Sequence, residues 1–118
     1  MKVQRKDVVL VDFPFTDGSG SKVRPALVIQ NDRDNNRLVN TIVAQISGTT
    51  HRALEPTQAF IDLKTPDGKL SGLRFDSVVN CANVVTLELS LVHRKLGELS
   101  DTMMNQVDLA IKEALEIA

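Results

Sequence analysis

The chain has 118 residues, 42% hydrophobic and 25% charged, with a net charge of −1, a balance that suits one soluble globular domain spanning residues 1–118 with a core of its own. No apolar run approaches the roughly 20 residues that a membrane span needs, and the near-neutral charge excludes a protein that coats nucleic acid through a broad basic surface. Cys81 is the only cysteine, which excludes an internal disulfide and a multi-cysteine zinc site, and the N-terminal MKVQRKD runs straight into an apolar stretch without a leader-like cleavage pattern, so a cytoplasmic location is expected.

The first strand-like run, Val8 to Phe13, is followed by Asp17-Gly18-Ser19-Gly20-Ser21, whose turn chemistry stops a strand, and by a second apolar run, Ala26 to Ile29. Arg24 falls where this loop meets the second run, and Pro25, lacking a backbone donor, suits a strand start or an edge. Asn31 to Arg37 reads as a polar loop. A third strand is expected over Val39 to Ile46, which leaves Ser47 at a strand end before Gly48. After a loop containing Pro56, Gln58 to Leu63 alternates imperfectly, in the manner of an edge strand. Pro66-Asp67-Gly68 reads as a turn opening the segment Lys69 to Phe75. Strands are then expected over Ser77 to Cys81 and Val92 to Leu96. From Met103 the period changes: Met103, Met104, Val107, Ile111, Ala114 and Leu115 recur at three and four, which predicts one amphipathic helix. Ser100 is its expected N-cap, with Leu99 and Met104 meeting as a hydrophobic staple. Short strands followed by one helix predict a mainly β fold, a small barrel with a C-terminal α-helix.

Taken in this order, DVVLVDF (Asp7 to Phe13), the Gly-Ser loop, VRPALVIQND (Val23 to Asp32), VAQIS (Val43 to Ser47), DSVVNC (Asp76 to Cys81) and VHRKLGELS (Val92 to Ser100) resemble the MazF/PemK-like toxins of bacterial toxin–antitoxin pairs. The resemblance covers nearly the whole chain, and Arg-Pro followed by an apolar run and Asn-Asp is its most specific part. It implies an SH3-like β-barrel, a homodimer, and an endoribonuclease that cuts single-stranded RNA without a metal or other cofactor until a cognate antitoxin with an acidic, disordered segment blocks it.

Metal-free RNA cleavage needs the 2′-hydroxyl deprotonated, the phosphorane charge stabilised and the leaving 5′-oxygen protonated. Arg24 suits the second task, because its guanidinium offers a charged fork that matches phosphate at any working pH. Ser47 matches the position where the family carries Thr or Ser, and its hydroxyl can donate to a phosphoryl oxygen. His51 is the only loop histidine and enters as an acid–base candidate, whereas His93, inside a strand run, reads as structural or superficial. The RNA-contacting set expected around them is Ser19, Ser21, Lys22, Thr49, Ser77 and Asn80. With four Phe and no Trp or Tyr, the aromatic base-stacking platforms of RRM or many OB-type domains are not expected.

Two departures from the family pattern bear on proton transfer. Gly18-Ser19-Gly20 stands where many relatives carry Gly-Ser-Glu, and Asn80-Cys81-Ala82 where some use Arg-Cys-Asp as an acid–base pair. Proton transfer then falls to Ser47, His51 or a water ordered by Arg24. The alternative is a catalytically weak SH3-like barrel that binds a peptide or nucleic acid. Two apparent motifs are rejected. Asp32-x-Asp34-x-Asn36 lacks the glycine and glutamate of a calcium loop. DGSGSK lacks phosphate-loop spacing and leads into a strand.

Overall fold

The computed structural model describes residues 1–118. Six antiparallel strands form one sheet in the order β4-β5-β3-β2-β1-β6: β1 (Asp7–Pro14), β2 (Ser21–Val28), β3 (Asn40–Ser47), β4 (Gln58–Ile61), β5 (Ser77–Glu88) and β6 (Val92–Glu98). The helices are α1 (Asp32–Arg37), α2 (Pro66–Leu70) and α3 (Asp101–Leu115), and one 3₁₀ turn, Leu89–Leu91, precedes β6. β4 and β6 do not pair with each other, so the barrel is open along that seam.

Alternation along β1 buries both faces of the sheet. Val8 joins Leu27, Ile46, Ile61 and Val79 in one core under α3, whereas Val9, Val11 and Phe13 join Ala26, Val28 and Leu87 in a second core on the other face. Successive strand residues point to opposite faces, so β1 is a wall shared by both cores. The stripe Met103, Met104, Val107 and Ala110 seals the first core, and α3 packs on β4 and β5. Ser100 caps α3 by accepting from the Met103 amide at 3.2 Å, and Leu99 and Met104 are both buried in that core, as the staple requires.

Several boundaries differ from the sequence reading. The expected polar loop Asn31 to Arg37 is helix α1, capped by the Asn31 side chain accepting from the Asp34 amide at 2.8 Å. It has no apolar stripe; buried Asn35 anchors it, donating to the Gln30 carbonyl at 3.0 Å and accepting from Gln30 Nε2 at 2.9 Å and Thr41 Oγ1 at 2.8 Å. The expected turn at Pro66 is the first turn of α2, capped by Thr65. Gly68 sits inside that helix because a Cβ there would lie 1.9 Å from the Asp62 carbonyl oxygen. Instead of starting at Ala26, β2 begins at Ser21. Pro25 is tolerated because β3 pairs with β2 only from Ala26 onward, leaving Ser21 to Pro25 bonded to β1 alone. The fifth strand continues beyond Cys81 to Glu88. It is interrupted on the β3 side, where the register jumps from Ala44↔Val84 to Gln45↔Asn80. Residues 81–83 form the resulting bulge.

Candidate functional site

The largest concavity, about 590 Å³, opens between β2, the segment leading into β5, and β6. Leu10, Pro25, Ile46, Leu73 and Leu96 supply its apolar lining, and four cations line it as well: Lys22, Arg24, Arg74 and Arg94. No acidic residue contributes to the wall, and none of the four cations forms a salt bridge within the chain. Asp12, a potential partner for Arg24, is instead bonded to His93 Nε2 at 3.0 Å, and Asp76 accepts from the Leu63 amide at 2.9 Å. An apolar base with uncompensated positive charge leaves the guanidinium donors free for an incoming anion.

Strand pairing fixes these groups. Arg24 lies opposite Val11 on β1 and is half-buried, which restricts its swing. Pro25 and Arg94 both face Leu10 across its two edges, so the cleft runs over three neighbouring strands. The opposite wall is held by a close backbone approach: a Cβ on Gly72 would lie 2.0 Å from the Leu96 carbonyl oxygen, and one on Gly97 would lie 2.3 Å from that of Leu70.

Of the sequence-derived residues, Arg24, Lys22 and Ser77 line this cleft. Ser77 is buried, and its hydroxyl donates to the Phe75 carbonyl at 2.9 Å. Ser47 ends β3 one residue before the cleft-lining Gly48, and its Oγ accepts from the Thr49 amide at 3.1 Å. Thr49 and His51 follow on the exposed loop. There Arg52 holds the Glu55 carboxyl below the ordinary carboxylate range, with His51 adding a smaller Coulombic pull. Ser19 and Ser21 are exposed beyond the cleft wall. The Ser19 hydroxyl, and after it the Ser19 amide, hold the Asp17 carboxyl below its usual range, while Phe15 accepts from the Gly18 amide and donates to the Gly20 carbonyl to stitch the loop. Asn80 is on β5 among amides: its Oδ1 accepts from Gln58 Nε2 at 2.9 Å and from the Ala82 amide at 3.1 Å.

Cys81 sits on the β5 bulge but is buried in the core. Desolvation, with a smaller contribution from Asp108, pushes its thiol up to about 11, so it is an inert core residue and not a nucleophile. No group of three or more His, Cys, Asp or Glu side chains is placed to hold a metal, and no helix is long and apolar enough to cross a membrane. Arg74, Arg94 and Phe75 are the cleft residues that sequence patterning missed. Their positions depend on the contact between the Gly72 and Gly97 backbones, which leaves no periodic trace.

Comparison with known proteins agrees with the fold. The sequence profile of the PemK-like, MazF-like toxins of type II toxin–antitoxin systems matches residues 4–115. The chain belongs to that toxin family. It is 35% identical over 118 residues to endoribonuclease EndoA of Bacillus subtilis, covering 99% of this chain and 97% of the relative. The same fold occurs in a mycobacterial endoribonuclease solved in complex with its cognate antitoxin, at a TM-score of 0.77, 25% identity, and coverage of 98% and 97% of the two chains. It occurs also in MazF from a MazE–MazF complex of Deinococcus radiodurans, at a TM-score of 0.75 and 14% identity over the full length of both chains. The toxin family thus accounts for the open six-stranded barrel and its C-terminal helix.

Proposed function

We propose that this toxin is a metal-independent endoribonuclease that cleaves single-stranded mRNA at short specific sequences in the cytoplasm, acting as a homodimer and restrained by a cognate antitoxin with an acidic, disordered segment. The observation that carries the reading is the acid-free cleft with four unpaired cations, among them Arg24 on a half-buried strand position. A phosphodiester laid along it meets preorganised donors at the point where phosphorane charge develops. Ser47, at the end of β3 beside the cleft-lining Gly48, supplies a hydroxyl to a phosphoryl oxygen, and His51 is the auxiliary proton carrier. The RNA-contacting set is Ser19, Ser21, Lys22, Thr49, Ser77 and Asn80. An acidic antitoxin segment competes for the same cations.

The test is incubation of purified protein with a long RNA in EDTA, followed by mapping of the ends. Cuts at one short sequence, leaving 2′,3′-cyclic phosphate and 5′-hydroxyl ends, are expected. Arg24→Ala keeps the fold and loses on the order of a hundredfold or more in rate, the usual consequence of deleting one preorganised oxyanion donor. Wild-type activity in that variant removes Arg24 from the site.

A second reading has its own support. Gly20, Asn80 and Ala82 replace titratable groups present in relatives, and Asn80 is committed to an amide cluster. A barrel that binds nucleic acid or a peptide without efficient cutting fits those positions, and absence of RNA cleavage with retained binding supports it.

A further inference from the structure

We infer that Phe75 is a stacking platform for an unpaired base, with Arg74 and Arg94 receiving flanking phosphates, so that the cleft grips a single strand independently of the groups that cut it. This inference rests on the ribonuclease reading and adds to it the residues that hold the substrate. Of the four phenylalanines, Phe13 is buried and Phe60 and Phe15 are 37% and 41% exposed, whereas Phe75 is 73% exposed while still lining the cleft. Isolated exposed apolar residues are ordinary on protein surfaces. Three features separate Phe75 from that background.

The first is rigidity. Gly72 is pressed against Leu96 and Gly97 against Leu70 and Ser71. On one side of Phe75, the Ser71 hydroxyl donates to the Gly68 carbonyl at 2.6 Å and accepts from the Leu73 amide at 3.2 Å. On the other, Asp76 accepts from the Leu63 amide, and Ser77 Oγ donates to the Phe75 carbonyl. The exposed pair Arg74-Phe75 is therefore displayed on backbone anchored at both ends. The second is position: neighbouring Leu73 packs against the core, while Phe75 stays outside it. The third is charge. Both Arg74 and Arg94 line the same cleft without an acidic partner. A phenyl face beside uncompensated guanidinium groups fits the chemistry of a base between two phosphates, since aromatic stacking is tolerant of base identity and a positive groove tracks the backbone.

The experiment uses full-length protein, with its oligomeric state fixed by sedimentation, and a fluorescent single-stranded oligodeoxynucleotide of mixed sequence, which lacks the attacking 2′-hydroxyl and is not cut. Phe75→Ala is expected to weaken binding about tenfold, whereas Phe75→Trp retains it and Phe75→Leu falls with the alanine variant, because stacking needs a π-face. Arg74→Ala is expected to lower the slope of log affinity against log salt by about one, as expected for one lost phosphate contact. In RNA cleavage the Phe75→Ala loss falls on KM. Wild type that cuts RNA, combined with Phe75→Ala unaltered in both affinity and KM, overturns the platform and leaves the ribonuclease reading standing. Phe75→Leu that binds as well as wild type overturns stacking in favour of simple apolar contact. Dissociation of the dimer in Phe75→Ala, with unchanged affinity per dimer, makes Phe75 an interface residue and also overturns the proposal. Wild type that neither binds nor cuts defeats both readings.

Discussion

Gly72→Ala tests the close backbone contact that builds the far wall of the cleft. Gly72 has φ +72, and an added Cβ would lie 2.0 Å from the Leu96 carbonyl oxygen and 2.6 Å from its carbon. The left-handed conformation alone costs an alanine about 1 kcal/mol. Relieving the overlap requires the strand and the segment to separate, at about 2 kcal/mol in the range seen for overpacked interiors. The sum, about 3 kcal/mol, corresponds to a fall in melting temperature on the order of 12 °C for a chain of this size. Two other glycines separate the components. Gly18 has φ +77 with nothing within 4 Å of its Cβ, so Gly18→Ala carries the conformational cost alone, about 1 kcal/mol. Gly97 has no such backbone strain, yet its Cβ would lie 2.3 Å from the Leu70 carbonyl oxygen, so Gly97→Ala carries the overlap alone, about 2 kcal/mol. Urea unfolding at one fixed protein concentration measures all three, with an unchanged m-value confirming that only stability moved. If Gly72→Ala costs no more than Gly18→Ala, the wall is not clamped, and the reasoning about its rigidity is wrong.

Ser47→Ala and His51→Ala should each lower RNA cleavage, Ser47→Ala the more strongly, measured as the initial rate on a long RNA in EDTA. Full activity in Ser47→Ala would reverse the ranking of the two. Ser100→Ala should destabilise the protein by about 1 kcal/mol through loss of the α3 cap, measured by thermal melting, and Ser100→Asp should restore most of it. Cys81, pushed up to about 11, should resist a thiol reagent until unfolding. Its protonated form is favoured in the native state, so its contribution is intact below the unfolded thiol's pKa and is lost as pH rises through about 11. Cys81→Ser should flatten that alkaline loss in pH-dependent unfolding.

The sequence made the sheet and the last helix legible where side-chain pattern was local. Val8 to Phe13, Val39 to Ile46 and the Met103 to Leu115 stripe carry their period in the residues themselves. α1 was hidden because it has no apolar face, and the group that fixes it, Asn35, reaches Gln30 and Thr41 on both sides of the helix. At α2, the Thr65 cap and Pro66 were helix-start signals, but Gly68 overrode them; its glycine answers to the Asp62 carbonyl, a tertiary demand. The site divides along the same line. Arg24 and Lys22 are contiguous with the recognisable Arg-Pro run, whereas Arg74, Phe75 and Arg94 enter the cleft only through backbone packing between distant segments.

That assembly sets the moment during synthesis at which the cleft is complete. The cleft takes one wall from β2, the second from the stretch Gly72 to Phe75, and the third from Arg94 and Leu96 on β6. β1, made first, has β2 as an early neighbour but must wait for β6 to occupy its other edge. Chains emerge from the ribosome N-terminus first, so a nascent chain carries Arg24 long before it has anything to enclose. Interrupted translation products ending before β6 therefore lack one wall of the cleft, and only a finished chain presents all three.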